Sequence, residues 1–289
     1  MFTGTYTAIV TPFNRDGSVD YGKLHDLVEW QIAEGVDGIV PVGTTGESPT
    51  LSYEEHHQVI EEVARAAAGR IKVIAGTGAN STDEALMLTR EAITQNVDAT
   101  LQVCPYYNKP NQEGLYRHFS MIADLGLPVV LYNVPGRCGR EIAVETVARL
   151  AGHEKIVAIK EAGGSVERVS AILDACDITV LSGDDMLTLP MMSIGAQGVI
   201  SVASNIVPRM VGDLVRAATR GDMAAAGVLH ARLYPLFRDL FIDTNPVPVK
   251  CAMAMAGRIG DVYRLPLCET SDKVRQQLRQ TLRDLQLID

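Results

Sequence analysis

Short apolar runs rich in Val, Ile and Thr recur along the chain, with stretches of helical period between them. They fall at 6–11, 38–42, 72–76, 99–104, 129–133, 156–160, 178–182 and 198–202. Each run is continuously apolar instead of alternating. That is the pattern of parallel strands covered by helices on one face and packed inside a barrel on the other. Between them, the spacing of Leu24, Leu27, Val28, Gln31 and Ile32 marks one face of a helix, and Ser81-Thr82-Asp83-Glu84 reads as a helix start. Eight strand-then-helix units predict an α/β fold of the (β/α)8 TIM-barrel type. A doubly wound sheet ordinarily carries a glycine-rich phosphate loop after its first strand, where Thr11-Pro12-Phe13 stands instead.

About 85 residues follow the eighth run, more than the last barrel helix needs. They read as helical over 209–221, 223–241, 247–256 and 271–287, which predicts a barrel over 1–222 and a C-terminal helical appendage over 223–289. No low-complexity linker separates the two, so the appendage is expected to pack on the barrel.

Composition narrows the function. The 289 residues are 47% hydrophobic, yet no apolar run approaches the eighteen or so that a membrane span needs. Lys and Arg number 26 against 35 Asp and Glu, and the net charge of −9, with no basic run, opposes nucleic-acid and anionic-membrane partners. Five widely spaced cysteines fit neither a disulfide framework nor a zinc knuckle. They read as reduced thiols of a cytoplasmic protein, and Met-Phe-Thr-Gly-Thr-Tyr at the start lacks the features of a signal peptide.

Several chemistries drop out. Gly43-Thr44-Thr45-Gly46-Glu47-Ser48 lacks the lysine of a P-loop, Gly76-Thr77-Gly78-Ala79-Asn80-Ser81 lacks the third glycine of a dinucleotide fingerprint, and Gly-x-Ser-x-Gly is absent. Of six histidines only His56 and His57 are close, and adjacent helix positions point about 100° apart, so no shared metal is expected. What remains is lysine. Lys23, Lys72, Lys109, Lys155, Lys250 and Lys273 read as solvated or terminal charges. Lys160 ends the sixth run, at the C-terminal mouth where barrel active sites collect. A lysine among apolar walls is desolvated, which favours the neutral amine that attacks a carbonyl to form a Schiff base. The competing reading is a lysine that snorkels outward or pairs with Glu161. Tyr132 ends the preceding run, where its phenol can pass protons beside an imine. The turn Gly43-Thr44-Thr45-Gly46-Glu47 offers N–H groups and hydroxyls suited to a small carboxylate.

Together these segments resemble the pyruvate-dependent class I aldolase and lyase family that includes N-acetylneuraminate lyase and dihydrodipicolinate synthase. The resemblance rests on Gly43-Thr44-Thr45-Gly46-Glu47-Ser48, Pro105-Tyr106-Tyr107-Asn108, Tyr132-Asn133-Val134-Pro135-Gly136-Arg137, Ile159-Lys160-Glu161-Ala162, Ser182-Gly183-Asp184-Asp185, Gly198-Val199-Ile200-Ser201 and Asn245-Pro246-Val247-Pro248-Val249-Lys250, in the right order along nearly the whole chain. It implies condensation of pyruvate with L-aspartate 4-semialdehyde on the diaminopimelate route to lysine, without a metal or organic cofactor. Lys160 would form the imine, Tyr132 would donate and accept protons, and Thr44 would link Tyr132 to Tyr107. That tyrosine is contributed in the family by a neighbouring subunit, which implies a homo-oligomer, dimer or tetramer. Thr45 would hold the pyruvate carboxylate, with main-chain groups of Gly183 and Ile200 nearby. Arg137 would bind the carboxylate of the aldehyde and separates synthases from neuraminate lyases, which lack it.

The family also contains lysine-inhibited members. The matching positions are Ser48, His56, Asn80, Glu84 and Tyr106, with Tyr106 expected to point away from the catalytic mouth. Tyr53 replaces a familiar histidine and Pro49 a small residue there, while Gly136 and Cys138 depart from the common Ser and Thr. The competing functions are another pyruvate-dependent aldolase, acting on a 2-keto-3-deoxy sugar acid or N-acetylneuraminate, and a catalytically dead barrel used for binding.

Overall fold

The computed structural model describes residues 2–289. Eight strands, β1 Gly4–Ala8, β2 Gly38–Val40, β3 Lys72–Gly76, β4 Ala99–Val103, β5 Val129–Asn133, β6 Ile156–Glu161, β7 Thr179–Ser182 and β8 Gly198–Ser201, close into a barrel in sequence order. All neighbours are parallel, β8 returning to β1 with Tyr6 opposite Ile200. The eight expected runs all carry strands, and the differences lie at their ends. The second stops at Val40 because Val42 takes φ 50°, turning the chain into the loop above the barrel. The first stops at Ala8 although Ile9 and Val10 are buried, because the N–H of Val10 turns to Asn205 Oδ1 (3.1 Å).

Helices α1 Tyr21–Ala33, α2 Tyr53–Ala67, α3 Thr82–Thr94, α4 Gln112–Ala123, the short α5 Pro135–Cys138, α6 Val144–Ala151, α7 Val166–Ala175, the short α8 Thr188–Met192 and α9 Pro208–Thr219 surround the barrel. Ile39, Ile74, Leu131 and Ile159 are fully buried strand residues, and each such side chain contributes about 1.5–3 kcal/mol. Tyr6 fills part of the barrel: a Cβ at Gly38 would come within 2.5 Å of its ring, so glycine is required there. The helix start expected at Ser81 is correctly placed, but Ser81 makes no side-chain cap. The complete capping box belongs to Ser52 and Glu55 at α2.

Beyond the barrel lie α10 Met223–Asp239, α11 Val247–Met255 and α12 Asp272–Asp284. The buried carboxylate of Asp239 accepts from Arg238, Gln277 (3.0 Å) and Thr281, fastening α12 to α10. Among the described residues no helix is long and apolar enough to cross a membrane.

Candidate active site at the barrel mouth

A cleft of about 760 Å³ opens at the C-terminal ends of β2 to β5, with Thr44, Ser48, Tyr106, Tyr132, Arg137 and Cys138 among its walls. Thr45, Lys160, Gly183 and Ile200 are not part of that surface. Lys160 adjoins it through Tyr132. The two residues are register partners on β5 and β6, so their side chains leave the sheet on the same face. Lys160 is only 5% exposed, and its Nζ lies 4.3 Å from the centre of the Tyr132 ring.

The Lys160–Glu161 pairing considered above does not form. Successive strand residues face opposite sides, and Glu161 is fully buried among other donors: Asn133 Nδ2 (2.8 Å), the Gly163 N–H (2.7 Å) and Arg168 Nε (3.0 Å). Among the described residues no carboxylate pairs with Lys160. Gly183 gives its chain room, because a Cβ there would stand 2.9 Å from Lys160 Cε and 2.8 Å from Ala162 Cβ. The Gly183 N–H is bonded to Glu161 O (2.8 Å), so this residue offers its carbonyl and its missing side chain.

Opposite the amine, Thr44–Gly46 forms a single 3-10 turn whose first N–H groups lack intrahelical acceptors. Glu47 closes the turn in the left-handed region, φ 56°, with its carboxylate fully buried. Lys250 reaches that carboxylate from α11, also fully buried, with its Nζ 4.2 Å from the Phe13 ring centre. Reading Lys250 as a solvated charge is therefore wrong. The run Val-Pro-Val-Lys-Cys-Ala-Met has no polar face to turn to water, and Glu47 makes the burial tolerable. Burial pushes the Lys250 ammonium below the ordinary lysine range, opposed by the adjacent Glu47 charge.

Asn245, which the sequence offers only as part of a motif and without a role because its partners lie far off in the chain, joins the two sides. Its Nδ2 donates to Thr45 Oγ1 (3.1 Å) and its carbonyl accepts from Arg137 Nη2 (3.0 Å). Among the described residues Arg137 has no carboxylate partner.

Tyr107 is not gathered into the cleft of its own chain. It is 90% exposed and holds φ 72°, an unusual state for an aromatic residue. Tyr106 corrects another expectation. It does not turn away from the mouth but forms part of the wall between the cleft and a second cavity of about 910 Å³. Ser48, His56, Glu84 and Tyr106 line that second cavity, whereas Asn80 does not, its carbonyl being held by Asn108 (2.8 Å). His56 is buried, its ring Nε2 lies 3.0 Å from Gly76 O, and burial lowers its pKa to about 4. The Tyr53 hydroxyl donates to Glu84 (3.1 Å), occupying the carboxylate expected to meet an amine.

A closed (β/α)8 barrel with one buried lysine free of carboxylates at its mouth stands with the barrel lyases that work through a lysine. The chain belongs to the dihydrodipicolinate synthetase family, whose model matches residues 1–285. It is 52% identical over 291 residues, covering 100% of both chains, to the 4-hydroxy-tetrahydrodipicolinate synthase of Thermodesulfovibrio yellowstonii. Among solved structures, the dihydrodipicolinate synthase of Acinetobacter baumannii complexed with pyruvate is 47% identical, with a TM-score of 0.98 and 100% of both chains covered. The enzyme of Cyanidioschyzon merolae with lysine bound is 41% identical, with a TM-score of 0.96 and 99% of both chains covered. Full-length likeness at this level supports the synthase over the sugar-acid or sialic-acid aldolase.

Proposed function

We propose that this chain condenses pyruvate with L-aspartate 4-semialdehyde through an imine on Lys160, the 4-hydroxy-tetrahydrodipicolinate synthase reaction. The observation that carries the assignment is Lys160 itself, buried beside Tyr132 with no carboxylate to hold it as an ion pair. The amine attacks C2 of pyruvate and the carbinolamine loses water, its protons passing through the Tyr132 hydroxyl. The imine acidifies the pyruvate methyl, and the enamine formed on loss of that proton attacks the aldehyde carbon. The amino group of the adduct then displaces Lys160 from the imine carbon, closing a ring that keeps the new hydroxyl and freeing the enzyme amine. Thr45 and the N–H groups of its turn hold the pyruvate carboxylate, with Gly183 and Ile200 bounding the same subsite. Arg137, anchored by the Asn245 carbonyl, takes the carboxylate of the aldehyde.

Thr44 carries the proton path from Tyr132 toward Tyr107. The exposure of Tyr107 supports its service to the site of a second copy in a homo-oligomer, dimer or tetramer. Barrel residues 1–222 carry the reacting groups, and the appendage 223–289 serves them through Asn245 and Lys250. The protein works in the cytoplasm, consistent with its free cysteines. L-Lysine is an inhibitor that binds in the second cavity through Glu84, with Ser48, His56 and Tyr106 around it and Asn80 outside its walls. It must first displace the Tyr53 hydroxyl, so inhibition is weak.

A coupled assay tests the assignment: the account expects turnover of pyruvate with aspartate semialdehyde and no cleavage of N-acetylneuraminate, and the reverse result contradicts it. Subunit sharing is tested by mixing Tyr107→Phe with Lys160→Ala under conditions of proven exchange. In a dimer, half the molecules are hybrids with one intact site each, so about a quarter of wild-type activity returns. No recovery places Tyr107 in its own subunit's site.

A further inference from the structure

Arg264 stands between α11 and α12 and lines neither cavity, yet its guanidinium reaches three other parts of the chain. Nε donates to Gly17 O (2.8 Å), between β1 and α1. Nη1 donates to Thr50 O (2.8 Å) and to Glu55 Oε2 (2.6 Å), and Nη2 donates to Glu55 Oε1 (2.6 Å). The main-chain N–H of the same residue donates to Glu47 Oε2 (3.4 Å), the carboxylate that Lys250 pairs with. Phe13 is shared as well, with Arg264 Cζ 4.5 Å and Lys250 Nζ 4.2 Å from its ring centre.

These contacts close on the loop 43–50, which carries Thr44 and Thr45. At its entry the loop is held by β3: the Gly76 N–H donates to Pro41 O (3.0 Å), and a Cβ at Gly76 would stand 2.5 Å from Val42 O. In the middle, Thr11 Oγ1 donates to Gly46 O (2.7 Å). At its exit, Ser48–Thr50 makes a second 3-10 turn, and the Thr50 N–H and hydroxyl both return to Glu47 O (3.0 and 3.1 Å). The guanidinium sits at that exit. It joins the Thr50 carbonyl to the carboxylate of Glu55 in the first turn of α2, which also accepts from the Ser52 N–H (3.0 Å) in the capping box.

We propose that Arg264 is a positioning residue for the condensation: it fixes the exit of the loop 43–50, and with it the turn that takes the carboxylate of pyruvate, without touching substrate itself. The inference rests on the function proposed above, in which Thr45 and the N–H groups of its turn hold that carboxylate. The residue type suits the task. Four hydrogen bonds leave from one planar fork, two of them in parallel to a carboxylate, whereas a lysine has three donors on a flexible stem and cannot make all four. The bonds from Arg264 hold the Glu55 carboxyl below the usual carboxylate range, so the pair is charged on both sides at neutral pH. Both side chains are partly buried, which shields the pair from the screening that weakens surface ion pairs.

The consequence is selective. Without the fork, the Thr50 carbonyl and the start of α2 lose their common anchor, and the donors of the preceding turn are no longer held in one place. Lys160 on β6 and Arg137 on α5 lie outside the clamp. The loss should therefore fall on the capture of pyruvate and spare recognition of the aldehyde carboxylate.

The test measures borohydride trapping against pyruvate concentration in the full-length protein, beside initial rates with each substrate varied. Arg264→Met should raise the pyruvate concentration for half-maximal trapping, and the pyruvate KM, by about tenfold, less than a full 1 Å misplacement of positioning groups can cost. The aldehyde KM should stay within about twofold of the wild type. Arg264→Lys, which keeps the charge and serves alone if Arg264→Met does not fold, should shift both pyruvate readouts in the same direction by a smaller factor. Arg275→Met is the control: it breaks the Arg275–Asp261 ion pair (2.7 Å), which ties α12 to the same segment of the appendage, and should leave the pyruvate readouts unchanged. Unaltered pyruvate trapping in Arg264→Met, full recovery by Arg264→Lys, an equal rise in the aldehyde KM, or the same shift in Arg275→Met would each overturn the proposal. A wild-type protein that traps no pyruvate would overturn the proposed function and this inference together, whereas equal trapping by wild type and Arg264→Met would overturn the inference alone.

Discussion

Lys160 and Lys250 are both withdrawn from water, 5% and 0% exposed, and each has its amine over an aromatic ring. They differ in company. Lys250 faces the buried carboxylate of Glu47 and completes an ion pair. Lys160 lies beside Tyr132, while the adjacent Glu161 is turned outward to Arg168. Burial alone therefore does not make a lysine a nucleophile. A carboxylate partner engages the amine in an ion pair and gives the side chain an architectural task, and its absence leaves the amine available for chemistry. The two are also joined in purpose. Lys250 holds Glu47, which closes the Thr44–Gly46 turn, and that turn faces the substrate that Lys160 is proposed to attack.

The largest effect that sharpens this comparison is on catalysis at Lys160. Lys160→Ala should lower kcat by at least about 10⁴-fold, because only that amine forms the imine. Its stability should change by less than about 1 kcal/mol, since no buried carboxylate is left unpaired. Urea unfolding alongside the coupled assay reads both quantities.

Lys250→Met should show the opposite profile. Leaving Glu47 buried and unpaired should cost about 3–5 kcal/mol of stability, visible as a lower urea midpoint. Adding Glu47→Gln removes the stranded charge and should restore much of that loss. In the double variant the imine should still form on Lys160, with a raised KM for pyruvate because the turn is less firmly held. A Lys250→Met variant as stable as the wild type would break the comparison.

Arg137→Ala should act on the second substrate. Loss of a charge-assisted bidentate contact is worth about 1.5–3 kcal/mol, a ten- to hundredfold rise in the KM for aspartate semialdehyde. Initial rates at saturating pyruvate check it, and unchanged aldehyde kinetics would contradict the role. The smallest effect is expected at the regulatory cavity. Tyr53→Phe frees Glu84 from its hydroxyl partner, so lysine should inhibit at concentrations about two- to fivefold lower, the worth of one exposed hydrogen bond. Equal inhibition of both proteins would show that Tyr53 does not guard the cavity.

Much of this is legible in the sequence. The strands are readable because a parallel strand buried on both faces leaves an uninterrupted apolar run, and Lys160 and Tyr132 stand out because they end such runs. Lys250 is misread there although a signal is present, since the helix Val247–Met255 offers no polar face on which a lysine could be solvated. Asn245 gives less warning. Its bond to Thr45 spans 200 positions, and only closure of the barrel and docking of the appendage bring them together. Tyr107 is found by motif, but its outward position depends on a left-handed backbone that the residue type itself disfavours.

The central claim is that the lysine without a carboxylate partner is the one that reacts. Borohydride reduction in the presence of pyruvate, followed by peptide mapping, tests it most directly. The account predicts a reduced pyruvate adduct on Lys160 alone, with Lys250 unlabelled despite its deeper burial. An adduct on Lys250 or Lys155, or none in the wild-type protein, would contradict it.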